Sequence, residues 1–127
     1  MKLRILFLSF FAGMSCMFFS CNLENENKAS ICIRNYSPNK NYSITNVYVK
    51  EKENAGYHLI WNGKLDCAKS EFIFIDEGSY SLKIDVADAS VFGLPKTYTT
   101  GYNIYKKAEH GNCLYACFDG NGIYFED

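Results

Sequence analysis

The chain has 127 residues, with 13 basic and 14 acidic side chains, ten Tyr and ten Phe. This length suits one domain with a modest hydrophobic core after any leader is removed. A nearly neutral chain without a basic run cannot neutralise nucleic-acid phosphates efficiently, so we expect no nucleic-acid partner. With two prolines in the whole chain, a proline-rich ligand or linker is also excluded.

The first 20 residues have the pattern of an export signal. Lys2 and Arg4 give a positive start, and residues 5–19 are largely apolar. A bilayer-spanning helix needs roughly 20 apolar residues, so this stretch lies near the short limit, and an uncleaved anchor helix is the alternative. We expect residues 1–20 to be a signal peptide that is removed on export.

The last three residues of this segment and the cysteine that follows, Phe18-Phe19-Ser20-Cys21, resemble the lipobox of bacterial exported lipoproteins. In that motif an apolar residue lies three positions before the cysteine and a small residue lies directly before it. The resemblance implies that the sulfur of Cys21 receives diacylglycerol and that Cys21 becomes the first residue of the mature chain. It also implies attachment to a lipid bilayer of the bacterial cell envelope, inner or outer. Cys16 is the alternative acylation site, and it would leave apolar residues on the mature surface.

Residues 21–29 are predicted to form a lipidated tether. The segment after the cysteine is polar and too poor in apolar side chains to fold alone. Because Lys2 and Arg4 are the only charges of the leader, the mature chain has 11 basic and 14 acidic side chains, a net charge of −3. Such a chain is not attracted to anionic lipid, so membrane attachment would depend on the covalent anchor.

Residues 30–127 are predicted to form one all-β domain. No stretch has helical periodicity over three turns, whereas short alternating or aromatic segments are separated by turn signals. They predict seven or eight strands, at 30–34, 44–50, 57–62, 72–75, 80–86, 97–106, 114–118 and 123–125. We place Leu82, Ile84 and Trp61 in the core. The pattern predicts a small antiparallel β-sandwich, with a small β-barrel as the alternative.

Glycine-containing pairs and clusters predict the connections between these strands. Turns are expected at 62–63, 76–78 and 119–122. The polar segment 35–43 is predicted to be a loop that exposes tyrosines, which suit contact with a protein or glycan. Residues 87–94 are predicted to be a loop or a single helical turn.

Short apolar and aromatic patterns follow one another within residues 31–86, in the order Ile31-x-Ile33-x-Asn35-x-Ser37, Ile44-x-x-Val47-Tyr48-Val49, Trp61, Ser70-x-Phe72 and Gly78-x-Tyr80-x-Leu82. This order resembles a loosely defined group of small β-sandwich domains found in bacterial exported lipoproteins. The resemblance implies a fold and an envelope location, and it implies no assigned activity.

The domain contains four further cysteines, Cys32, Cys67, Cys113 and Cys117. An even number in an exported domain predicts two disulfides, with free buried thiols, or a metal site that includes His110, as alternatives. Four residues along one strand separate Cα atoms by roughly 13 Å, well beyond the ~7 Å limit for a disulfide. We therefore expect Cys113 and Cys117 to pair with Cys32 and Cys67 and not with each other.

No motif of a hydrolase, metalloprotease, P-loop or dinucleotide-binding site occurs in the chain. His58 and His110 are the only side chains that titrate near neutral pH. We expect His58 to be a structural residue of a sheet and His110 to be an exposed residue of a loop. The carboxylates that a glycosidase would need are expected to be solvated loop groups, namely Asp76, Glu77, Asp85 and Asp88. We predict no catalytic residue, no cofactor and no metal site.

These observations lead to three functional hypotheses. The first is a monomeric, non-enzymatic binding module that is anchored to the envelope membrane and recognises a protein or glycan. The second is an inhibitor of a hydrolase, which would insert a loop into its target. The third is a small envelope enzyme. A rigid protruding loop would favour inhibition, a flat aromatic face would favour binding, and a closed polar cleft around a histidine would favour an enzyme.

Overall fold

The protein is described by a computed structural model that covers residues 28–52, 56–101 and 104–126. The predicted signal peptide, both candidate acylation sites and most of the predicted tether lie outside these residues. The described chain forms nine strands: β1 (Lys28–Asn35), β2 (Tyr42–Glu51), β3 (His58–Leu65), β4 (Ser70–Asp76), β5 (Gly78–Asp88), β6 (Lys96–Thr99), β7 (Lys106–Ala108), β8 (Cys113–Phe118) and β9 (Ile123–Phe125). Within these described residues, no helix is long and apolar enough to cross a membrane.

The strands form two sheets. The first sheet has the order β4-β1-β8-β9, and the second has the order β3-β2-β5, with β6 and β7 sharing the outer edge of β5. The inner faces of the two sheets contribute to a single hydrophobic cluster. The predicted all-β fold is therefore confirmed as a small sandwich, and the nine described strands do not close into the alternative barrel.

Among the strand pairs, β1 and β8 are parallel, and the other pairs are antiparallel. The reason lies in the path of the chain. Strand β7 runs along β5 towards Gly78, so the chain returns to the first sheet at the end where β1 begins. Strand β8 must then run in the same direction as β1.

The sandwich has two ends, which we name after their positions relative to the start of β1. At the tether pole, Lys28 pairs with Asp76. At the distal pole, Tyr42 pairs with Asp88. Strand β5 has 11 residues, so the poles are roughly 35 Å apart at about 3.3 Å per residue.

The core is built from the alternate residues that face inward on both sheets. Leu82 and Ile84 of β5 are completely buried, as the alternation in 80–86 predicted. They pack with buried aliphatic residues from β1, β2 and β4 and with Phe118 of β8. Trp61 is only partly buried and packs against the margin of this cluster, because it belongs to β3 at the edge of the second sheet.

The turn predicted at Asn62-Gly63 is wrong, since both residues lie inside β3. The Trp61 ring folds back over this glycine: a Cβ atom on Gly63 would lie 2.7 Å from Cζ2 of that ring, so a larger residue would displace the ring. The chain leaves β3 further on, after Leu65, in a turn where Ala68 has a φ of 70°.

The strand predicted for 97–106 is two strands, β6 and β7. Both pair with β5, but at different positions along it. Between them the chain is fixed by Thr100, whose backbone N–H donates to the Leu82 carbonyl at 3.0 Å and whose Oγ1 accepts from the Leu82 N–H at 3.1 Å. Gly101 follows with a φ of 121°, a conformation that glycine adopts without strain, and the chain leaves the sheet edge there.

The turns predicted at 76–78 and 119–122 are confirmed. The first moves the chain between the sheets, from β4 to β5, and the second joins β8 to β9 as a hairpin. The carboxylate of Asp119 accepts hydrogen bonds from the backbone N–H groups of Asn121 and Gly122 at 2.8 and 3.0 Å. This carboxylate therefore stabilises the turn.

The loop predicted for 35–43 is shorter and less exposed than expected. Asn35 and Ser37 are buried, and Tyr42 packs on the core with its ring centroid 6.3 Å from that of Phe118. Tyr36 alone of the two predicted tyrosines is strongly exposed. The segment lies at the distal pole, where it closes one end of the sandwich.

Candidate functional site

The two histidines do not share a site. His58 is exposed on β3, at the rim of an open depression of about 190 Å³ that also contains Glu51 and Asp76. His110 is exposed in the turn between β7 and β8, and its backbone N–H donates to the Glu77 carboxylate at 2.6 Å. Neither imidazole lies in a closed polar cleft within the described part of the chain, so the feature that would favour an enzyme is not found there.

The four carboxylates considered as a glycosidase pair are distributed over the molecule. Asp76 forms an ion pair with Lys28 at 2.8 Å, and Glu77 accepts the His110 N–H, both at the tether pole. Asp88 lies at the distal pole, where it accepts bonds from Ser90. Each group has a local structural partner, and the structure does not bring Asp76, Glu77 and Asp88 together.

The four domain cysteines are free in the structure, and the predicted disulfides are not formed. Cys113 and Cys117 lie four residues apart on one face of a single strand, β8, as the sequence analysis assumed. The registers explain why no pair meets. Cys32 lies beside Phe72 and Tyr115, and Cys113 lies beside Ser30. Cys67 is in the distal turn before β4, where its thiol donates to the Ser37 carbonyl at 2.9 Å.

Burial makes the thiols of Cys32 and Cys117 poor nucleophiles. Burial raises the pKa of Cys32, and a hydrogen bond from Arg34 only partly opposes this effect. Burial also raises the pKa of Cys117, with Glu126 and Asp119 acting in the same direction. A thiol needs a lowered pKa to act as a nucleophile or metal ligand near neutral pH. In residues 28–52, 56–101 and 104–126 there is no cluster of three or more His, Cys, Asp or Glu side chains suited to a metal ion.

A polar network covers part of the outer face of the second sheet and centres on Asp85 of β5. Its carboxylate accepts hydrogen bonds from the Asn46 amide at 3.0 Å, the Tyr48 hydroxyl at 2.8 Å and the Thr97 hydroxyl at 2.9 Å. Burial alone would raise the pKa of Asp85, but these three bonds outweigh it and lower the pKa. The ammonium group of Lys83 lies 4.4 Å from the Tyr48 ring centroid. The network ties β2, β5 and β6 together.

We expect Asp85→Asn to lower the free energy of unfolding by about 1–2 kcal/mol at pH 7, because a charged acceptor of several hydrogen bonds is lost. The pKa of Asp85 is lowered by folding, so its contribution exists above the unfolded value of about 3.9 and disappears as the pH falls through the folded value. Denaturant titrations between neutral and acidic pH should show the difference from the parent shrinking below about pH 4.

Asp76→Asn is the matched control for this prediction, because its ion pair with Lys28 is exposed. Such a pair contributes less than about 1 kcal/mol. If the two variants lose equal stability, or if the Asp85→Asn difference does not change with pH, the network does not have the proposed role.

The outer face of the first sheet is rich in aromatic side chains. We call this surface the aromatic face, and it consists of Phe72, Phe74, Tyr115 and Tyr124. Phe72 and Phe74 of the edge strand β4 are 59% and 61% exposed, although alternation would allow polar residues there. The registers place Phe72 beside Cys32 and Cys32 beside Tyr115, so one continuous surface crosses the sheet.

Arg34 lies at the distal side of the aromatic face. Its guanidinium carbon is 4.6 Å from the Tyr115 ring centroid and 5.9 Å from that of Tyr36. The same group lies 3.7 Å from the Glu126 carboxylate. The positive charge is therefore held by two rings and one carboxylate at the margin of the face.

The most exposed apolar group of the described chain lies at the distal pole. We call residues 89–95, between β5 and β6, the distal loop. Phe92 is fully exposed and Leu94 is 94% exposed, and Val91 beside them is also exposed. Scattered apolar side chains are normal on a protein surface, whereas these three lie within four residues and form one exposed apolar group.

The root of the distal loop is fixed by hydrogen bonds. The Ala89 N–H donates to the Asn41 carbonyl at 2.9 Å, and the carboxylate of Asp88 accepts from the N–H and hydroxyl of Ser90 at 2.9 and 2.6 Å. These two bonds lower the pKa of Asp88, so the carboxylate that accepts them stays charged at neutral pH. The loop itself forms one wall of an open cavity of about 470 Å³, and the rest of the lining comes from the end of the sandwich and includes Tyr42, Val86 and Tyr98.

Residues 87–94 are predicted from the sequence to be a loop or a helical turn, and nothing in that prediction marks them as a surface site. The signal was present in the consecutive apolar residues of Val91-Phe92-Gly93-Leu94-Pro95, in a segment without strand alternation. No protein-family model, curated protein or solved structure matches the chain.

Proposed function

We propose that the protein is a lipoprotein of the bacterial cell envelope, anchored through acylated Cys21, and that it acts as a non-enzymatic module that binds another protein through the distal loop. The observation that carries the binding proposal is the group of exposed apolar side chains at Val91, Phe92 and Leu94. The anchor is supported by the lipobox-like residues before Cys21 and by the polar segment after it.

A protein partner fits this site better than a soluble small ligand does. The apolar side chains point outward from a loop with a fixed root, and such projecting groups gain stability only when a second surface covers them. Protein interfaces derive most of their binding energy from a few buried aromatic and aliphatic anchors. The cavity beside the loop offers space for a side chain of the partner, so the two surfaces would interlock.

The anchor is tested by substituting each candidate cysteine. We expect Cys21→Ala to move the protein from the membrane to the soluble fraction, because two acyl chains are needed for stable attachment and each buried CH₂ contributes about 0.8 kcal/mol. Cys16→Ala should leave the protein in the membrane fraction. Release by Cys16→Ala alone would show that the acylation site is Cys16.

The binding site is tested by placing a photo-cross-linking residue at position 92 of the full chain in producing cells. We expect one major protein adduct from this position and none from the exposed position 64 on β3. A second chain with Val91→Ser and Leu94→Ser should lose the adduct at least about ten-fold, since each hot-spot contact of more than ~1.4 kcal/mol is worth a factor of ten. An adduct that forms equally at both positions, or that survives both substitutions, would contradict the loop as the binding site.

The second candidate is inhibition of a hydrolase, which the protruding loop specifically favours. An inhibitor must place the loop in the active site of its target. The captured partner should then be a hydrolase whose activity falls on addition of the 22–127 chain and recovers with Phe92→Ser. A captured partner without hydrolase activity, or a hydrolase that is unaffected, would leave simple binding as the function.

A further inference from the structure

We propose that the aromatic face of the first sheet rests on the bilayer that holds the anchor, with Phe72 and Phe74 inserted at the lipid–water interface. This inference rests on the proposed acylation of Cys21 and goes beyond it, because it assigns the occupant of a surface and an orientation of the whole domain. The proposal is based on one observation: the exposed aromatic face lies beside the start of β1, where the chain from the anchor enters the domain.

The length of the tether keeps this surface close to the membrane. Six residues separate Cys21 from Lys28, so the anchor and the start of β1 are at most roughly 25 Å apart. Phe74 pairs with Ser30 and Phe72 pairs with Cys32, which places them roughly 7 and 13 Å along the sheet from Lys28. Both rings therefore lie within reach of the bilayer to which the acyl chains are attached.

The chemistry of the face suits the lipid interface. Tyrosine is favoured in the headgroup region because its ring is apolar and its hydroxyl is polar, and phenylalanine is one of the residues that peripheral proteins bury at the headgroup–acyl boundary. The two phenylalanines lie on the outer side of edge strand β4, without a covering element among the described residues. Insertion of the rings removes apolar surface from water without breaking the sheet, whose inner face is already covered by the second sheet.

The charged side chains at the margins of the aromatic face are paired with each other, so the contact with lipid would depend on the apolar rings. Lys28 is paired with Asp76 at 2.8 Å, and Arg34 lies 3.7 Å from Glu126, so the charged groups at its two ends are balanced. The mature chain is acidic overall, which gives no attraction to anionic lipid. We therefore expect the contact to be insensitive to salt and to lipid charge.

This orientation leaves the distal loop in water. The loop joins β5 and β6 of the second sheet, and sheets in a sandwich are about 10 Å apart. With the first sheet on lipid, Phe92 is lifted away from the bilayer and lies roughly 35 Å along the domain from the tether pole. A partner could reach it beside the membrane.

The test uses full-chain acylated protein in vesicles of phosphatidylcholine with brominated acyl chains, which quench tryptophan on contact. Trp61→Phe removes the single native tryptophan, and Phe74→Trp or Phe92→Trp then places one tryptophan on the aromatic face or on the distal loop. We expect quenching and a blue shift for the first variant and neither for the second. Added phosphatidylglycerol or salt should not change the result.

A second measurement needs no substitution, in case a variant does not fold. Hydroxyl-radical footprinting should show less oxidation of Phe72 and Phe74 in the acylated parent on vesicles than in the unacylated 22–127 chain in buffer, with Phe92 and Leu94 unchanged. Vesicle flotation of the parent is measured in parallel. A parent that does not float contradicts the anchor and this proposal together, whereas a floating protein with unprotected Phe72 and Phe74 contradicts only the docking.

The other results of the test also decide the question. Equal quenching at positions 74 and 92 would overturn the proposed orientation. Protection of Phe72 and Phe74 by dimerisation in detergent would assign the face to a second copy of the chain. Loss of the cross-linked partner on Phe72→Ser and Phe74→Ser, with no lipid contact, would assign it to a protein.

Discussion

Asn35→Ala is expected to lower the free energy of unfolding by about 3–5 kcal/mol, because each buried polar group left without a partner costs roughly 1–3 kcal/mol. Asn35 is completely buried at the end of β1. Its side-chain amide donates to the carbonyls of Tyr42 and Leu65, both at 3.0 Å, and its side-chain oxygen accepts from the Ser37 N–H at 3.1 Å. One side chain thus joins β1 to the start of β2 and the end of β3.

The prediction is checked by equilibrium denaturation of the 22–127 chain, followed by far-UV circular dichroism. Asn62→Ala is the matched control, because its amide also donates to backbone and side-chain oxygens, at Thr45 and Asn46, but in an exposed position. That variant should change stability by less than about 1 kcal/mol. If Asn35→Ala is as stable as the control, the buried amide does not hold the distal pole together.

Phe118→Ala is expected to lower the free energy of unfolding by about 3–5 kcal/mol, because the variant loses buried apolar surface and leaves a cavity. Phe118 is completely buried on the inner face of β8. Its ring centroid lies 5.1 Å from that of Tyr98 on β6 and 6.3 Å from that of Tyr42 on β2. The ring therefore joins the two sheets beneath the cavity next to the distal loop.

Phe92→Ala removes the same atoms from a fully exposed position, so it should change stability by no more than about 0.5 kcal/mol. The same denaturation experiment compares the two variants, and partner binding separates them further. Phe92→Ala should weaken the proposed binding while the fold stays intact. Equal losses of stability in the two variants would contradict the placement of Phe118 in the core.

The comparison of residues 80–86 with residues 97–106 shows how far the sequence determines this fold. Alternation over 80–86 specifies one buried face, because successive side chains of a strand point to opposite sides, and the structure buries Tyr80, Leu82, Ile84 and Val86. The same reasoning treats 97–106 as one strand. Its interruption at Thr100 depends on two hydrogen bonds to Leu82, a residue distant in sequence.

The turn predictions at 119–122 and at 62–63 had different outcomes, and contacts around each segment explain the difference. Asp119–Gly122 forms a turn because local bonds from Asp119 stabilise it. Asn62-Gly63 has equally strong local signals but lies in β3, where the Trp61 ring occupies the space above Gly63. Local chemistry predicts a turn correctly only where the packing around the strand does not compete.

For the candidate sites, too, local features were predictable from the sequence, whereas features that depend on distant contacts were not. The sequence by itself determined most of the strands, the β-sandwich class and the lack of a recognisable catalytic motif, because alternation and motif spacing are local properties. Only the tertiary structure decided that four cysteines remain apart, that Phe72 and Phe74 face outward beside the tether pole, and that Phe92 projects at the opposite end. Strand order, register and which face is covered arise from contacts between distant segments, and a linear pattern of apolar residues does not encode which partner covers them.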